Sequence, residues 1–143
     1  MTFDQKVRFL ESYQKAKANA EAYYCQIIDL RKTRLPNGIH YTDMPKHHNN
    51  TDDVMADYAG EFWEISRRLE RAQKRMLRVC AVINQLAEAS PLEHQILTEI
   101  YINGLKRQEV CAKLYISRDT QWRHWRKAIN SLQIDFKASG KGK

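Results

Sequence analysis

Apolar residues recur every three or four positions over most of this chain. In the first segment, residues 2–31, Phe3, Val7, Leu10, Tyr13, Ala16, Ala20, Tyr23, Ile27 and Leu30 form one such stripe and predict a long amphipathic helix. At ~1.5 Å per residue it would reach roughly 40 Å, too long for a small globule unless it packs lengthwise. A second stripe over residues 57–87 supplies the partner: Phe62, Ile65, Leu69, Ala72, Met76, Val79, Ile83 and Leu86 alternate threes and fours in a coiled-coil-like seam. Two such helices pack most simply as an antiparallel hairpin, although a swapped or parallel dimer satisfies the same pattern. Between them the period fails. The run LPNGIHYTDMPKHHNNTDD holds two of the three prolines, and a loop is expected over residues 35–56.

The period resumes with shorter strides after Ser90, which can cap a helix that Pro91 opens favourably. Leu92, Ile96, Leu97 and Ile100 predict a supporting helix, and Asn103-Gly104 a tight turn. A short helix over 106–114 has Val110, Cys111 and Leu114 on its inner face. Tyr115 and Ile116 make the next turn, Ser117 is a good N-cap, and Asp119 falls in the first turn of a helix over 117–132. This order is that of a helix-turn-helix. The expected architecture is all-α: a helical hairpin in 1–89, a helix-turn-helix in 90–134 and a basic flexible tail in 135–143.

Composition agrees, with 43% hydrophobic residues, 5 Gly and 3 Pro. The net charge of +7 favours polyanionic partners, and its placement sharpens the point. From residue 91 onward, ten Lys and Arg face five Asp and Glu, so most of the excess lies on the helix-turn-helix and tail. Cys25, Cys80 and Cys111 are odd in number and sit in apolar helical contexts, which predicts buried reduced thiols. No signal peptide or membrane span is evident, so the expected location is the cytoplasm of a bacterial host.

Residues 93–132 resemble region 4 of bacterial sigma factors. The likeness is carried by Glu93, Ile96 and Leu97, by Glu109, Val110 and Cys111, by Ile116-Ser117-Arg118-Asp119, and by Ala128 and Leu132. It implies that Arg118, Asp119, Trp122 and Arg123 approach bases. Gln121 and His124 stand where that family carries apolar residues, and Lys106 where it carries a Ser or Thr cap. Either Trp122 and Trp125 supply the core contacts through a small helix rotation, or Gln121 and His124 face solvent or DNA. The whole layout, with Met44-Pro45 in the connector, looks like phage late-gene transcriptional regulators of the ArpU and RinA type.

The chemistry expected is therefore binding, not catalysis. Arg118, Asp119, Trp122 and Arg123 are the base-reading candidates, and Lys106, Arg107, Lys113, Arg126 and Lys127 the phosphate-contacting ones. The basic run over residues 67–78 reads as a solvated helix face or as a second phosphate-tracking surface. His47-His48, His94 and His124 lack ligand spacing, so no metal or cofactor is expected. No phosphate loop, nucleophile elbow or carboxylate pair points to an enzyme. The partners expected are double-stranded DNA, a second copy through the N-terminal helices, and RNA polymerase as a further candidate. Two rivals use the same features: a DNA-recognition subunit of a phage packaging terminase, and a sigma-like module that binds polymerase or a host factor without DNA.

Overall fold

The computed structural model describes residues 2–34 and 48–134, and every regular element among them is helical. The chain is all-α. Helix α1 spans Phe3–Arg34, α2 His48–Ile83, α3 Pro91–Leu97, α4 Arg107–Leu114 and α5 Arg118–Ser131. A 3-10 turn, Asn84–Leu86, tightens the end of α2, and a π turn, Thr98–Ile102, extends α3.

Each boundary has a local cause. Thr2 and Gln5 close a reciprocal capping box at the start of α1: the Thr2 N–H donates to Gln5 Oε1 at 3.0 Å and the Gln5 N–H to Thr2 Oγ1 at 3.3 Å. Helix α2 begins at His48, so the later part of the expected loop is helical. Residues 48–56 carry no apolar period that could announce a helix, yet no Pro or Gly interrupts them, and polar residues cost only up to about 0.7 kcal/mol each in a helix. The rest of that connector, with Met44-Pro45 and His47, and the tail at 135–143 lie outside the described residues. Ser90 does not cap α3 with its hydroxyl; its carbonyl accepts the His94 N–H at 2.9 Å, and Pro91 fills a position that needs no donor.

The chain divides into two compact units. One takes in the described residues of Lys17–Lys74, where Ile27 and Leu30 are buried, the Arg31 guanidinium lies over the Phe62 ring at 5.8 Å, and Tyr58 stacks on Phe62 at 5.9 Å. The Arg68–Glu64 and Lys74–Glu70 pairs on α2 are exposed and four residues apart, each worth about 0.3–0.5 kcal/mol. Cys25 is exposed and Cys80 and Cys111 half-buried, all three free, which corrects the expectation of buried thiols.

The other unit takes in the described residues of Met1–Ala16 and Arg75–Lys143. Its core joins Phe9, Leu10 and Tyr13 of α1 to Val79, Val82 and Ile83 of α2, Ile96 and Leu97 of α3, and Trp125, Ala128 and Ile129 of α5, with Leu132 just beyond. Phe9 lies off the predicted stripe; its ring is covered by the half-buried Arg75, whose guanidinium sits 5.8 Å away. Gln14 donates to the carbonyls of Tyr101 and Ile102 at 3.0 and 2.8 Å, satisfying acceptors that the π turn leaves open. The turn itself closes with the Asn103 N–H on the Thr98 carbonyl and the Leu105 N–H on the Glu99 carbonyl, both at 3.0 Å. Gly104 follows at φ +72, and a Cβ there would stand 3.4 Å from the Gln14 amide.

Candidate nucleic-acid interface

Helix α5 owes its position to an inner stripe at helical spacing. Gln121, Trp125, Ala128 and Ile129 are buried, followed by Leu132. The Trp125 indole donates to the Tyr101 hydroxyl at 2.9 Å, takes the edge of Phe3 at 5.4 Å and is covered on its face by the Arg107 guanidinium at 4.0 Å. Burial raises the Tyr101 phenol above its ordinary range, against the lowering effect of the bond from Trp125. Gln121 is 97% buried yet satisfied, since its Nε2 donates to the Arg107 carbonyl at 2.8 Å and so ties α5 to the start of α4.

Neither arrangement expected for Trp122, Trp125, Gln121 and His124 is found whole. Trp125 and Gln121 face the core together, while Trp122 is exposed. His124 is half-buried, its Nδ1 3.9 Å from Oε2 of the buried Glu93.

The ends of α5 are held as firmly as its middle. Ser117 caps the start, its Oγ accepting the Thr120 N–H at 3.1 Å, with its carbonyl on the Gln121 N–H at 2.9 Å. Past the other end, Gln85 clamps Gln133 with two bonds, Nε2 to the carbonyl at 2.7 Å and the N–H to Oε1 at 3.1 Å. Lys6 donates to the Asn130 carbonyl at 3.2 Å, bringing a cation to the negative end of the helix dipole.

The outer face carries Arg118, Asp119, Trp122, Arg123, Arg126 and Lys127, all exposed. Arg126 lies over the Trp122 ring at 5.1 Å, which limits the freedom of its long side chain. Arg123 reaches back to the Asp119 carbonyl at 3.5 Å, not to its carboxylate. A shallow concavity of about 530 Å³ runs along this face, lined by Trp122, Arg123, Arg126, Lys127, Asn130 and Ser131.

The α4 cations are placed differently. Lys106, Arg107 and Lys113 are exposed. The Lys106 N–H donates to Glu109 Oε1 at 3.3 Å, which makes half a capping box; its ammonium has no lone pair for the other half. Lys113 is ion-paired with the buried Glu99, which also accepts from Asn103. Those two bonds hold the Glu99 carboxyl below its ordinary range despite burial. Lys113 is thus committed to its own fold, whereas the cations of α5 point outward. Sequence reasoning marked Gln121 at an apolar position without placing it in the core, and missed Tyr101 and the two glutamine clamps. Gln121 could have been found from spacing, as it stands four residues before Trp125 and seven before Ala128.

The fold and this site define an all-α chain that carries a helix-turn-helix with an exposed basic second helix. It belongs to the family described as Protein of unknown function (DUF1492), whose model matches residues 45–133. Neither the curated proteins nor the solved structures contain a match to it. No described helix is long and apolar enough to cross a membrane.

Proposed function

We propose that this protein is a sequence-specific double-stranded DNA-binding transcriptional regulator, of the kind phages use for late genes, and that α5 enters the major groove. The observation that carries this reading is the division of α5 into two faces. One is anchored by Trp125, Ala128, Ile129 and Gln121, and the other presents Arg118, Asp119, Trp122, Arg123, Arg126 and Lys127 outward. A rigidly seated helix with outward guanidinium groups matches what major-groove readout requires.

In this reading Arg118 and Arg123 address guanine edges, each bidentate contact giving about 1–3 kcal/mol of discrimination. Asp119 accepts from a cytosine amine, and Trp122 lies against sugar or a thymine methyl. Arg126, Lys127, Lys106 and Arg107 contact phosphates, while Lys113 stays with Glu99. A second copy joined through the N-terminal helices would supply the affinity that one small module lacks.

Selection of bound duplexes from random DNA, followed by titration of variants, tests the reading. Arg123→Ala is expected to relax preference at one base pair. Lys127→Ala is expected to weaken all sequences alike and to reduce the salt slope by about 0.9. Unchanged binding by both variants would remove α5 from the interface.

A further inference from the structure

Tyr115, between α4 and α5, is 94% exposed and sits at φ 57 in the left-handed region. A helix that ends this way usually places glycine there, because a Cβ in that conformation is crowded by the backbone. The turn's own needs are met by main chain: the N–H groups of Tyr115 and Ile116 both reach the Cys111 carbonyl, the latter at 3.1 Å. Among the described residues Tyr115 makes no side-chain hydrogen bond, ring contact or ion pair. Its own fold therefore draws nothing from the ring and bears the strain of the Cβ.

The position of this side chain points to an outside partner. Tyr115 precedes the Ser117 cap by two residues and Arg118 by three, and three chain steps span at most about 11 Å. The backbone that carries the exposed ring thus lies within that reach of the start of the helix proposed to read bases. In helix-turn-helix docking that start meets base edges, with phosphates on either side. A phenolic hydroxyl is a common donor to phosphate oxygen, and it adds no charge.

Resting on the DNA-binding reading above, we propose that Tyr115 is a DNA-backbone contact, its hydroxyl donating to a phosphate oxygen next to the bases faced by Arg118. The strained turn is kept for a side chain whose partner lies outside the chain.

The test uses the full chain and its selected duplex. Tyr115→Gly is expected to raise Tm by about 2–4 °C and to weaken binding at least about fivefold. Tyr115→Phe is expected to leave Tm unchanged and to weaken binding by roughly the same factor, with no change in salt slope. Binding unchanged in both variants would overturn the contact while leaving the DNA reading intact. A loss in Tyr115→Gly alone would overturn the hydroxyl–phosphate bond, and a lower Tm for that variant would overturn the strain, since the ring would then serve its own fold. A wild-type chain that binds polymerase but no duplex would overturn both readings, an outcome told apart because it needs no variant.

Discussion

Burying a carboxylate is costly unless it is paired and hydrogen-bonded, and Glu99 is both: Lys113 and Asn103 converge on it. Its carboxyl is held below the ordinary value of 4.5, chiefly by the bonds from Lys113 and Asn103. A group with a depressed folded-state pKa contributes stability that is present above its unfolded value and lost as pH falls through the folded one. Lys113→Met should therefore cost about 1–2 kcal/mol at neutral pH, a figure discounted because the Lys113 side chain is half exposed. As pH falls from neutral through and below the ordinary carboxylate range, the variant should lose less stability than wild type, because part of the pH-dependent contribution has already gone. Urea unfolding across that range checks this. Parallel losses in the two proteins would mean that Lys113 does not set the Glu99 equilibrium. Trp125 and Gln121 show a different residue-scale economy, each burying a large side chain while giving its polar atom a partner.

Among the elements, the helices that are long and strictly periodic were legible. The buried or half-buried positions of α1 include every member of its predicted stripe from Phe3 to Leu30, because a 3.6-residue period leaves one face to bury. The start of α2 was not legible, since a polar helical turn carries no such period. The π turn was equally silent: the carbonyls it leaves open are met by Gln14, 87 positions from Tyr101. For the candidate site, the outer face of α5 followed from spacing, whereas its clamps are set by residues remote in sequence. The cap of α5 is where sequence and structure meet most closely, since Ser117 both ends the turn and satisfies the Thr120 N–H. Ser117→Ala should lower stability by about 1 kcal/mol, and Ser117→Asp should keep most of it, because either oxygen can accept that bond. Urea midpoints with unchanged m-values would bear this out. An alanine variant as stable as wild type would show that the cap does not limit α5.

For the molecule as a whole, the helix-turn-helix leans on the two ends of the sequence-distant long helices. Phe3 touches Trp125, and Leu10, Val79 and Ile83 are 0% exposed in the same core as Ile129. Burying one such aliphatic side chain is worth about 1.5–3 kcal/mol, so losing Leu10, Val79 and Ile83 alone removes about 5–9 kcal/mol. That rivals the whole stability of a typical domain, about 5–15 kcal/mol. A fragment of residues 90–134 would also lose the bonds from Gln14, Gln85 and Lys6 to backbone carbonyls of the turn and of the α5 end. We expect that fragment to show helical circular dichroism well below the full chain's per residue, with no cooperative thermal transition. Restoring residues 1–16 and 75–89 through a linker should bring the transition back. A fragment that melts cooperatively within a few degrees of the full chain would show that α3, α4 and α5 hold α5 in place unaided, and that the long helices serve some purpose other than seating it.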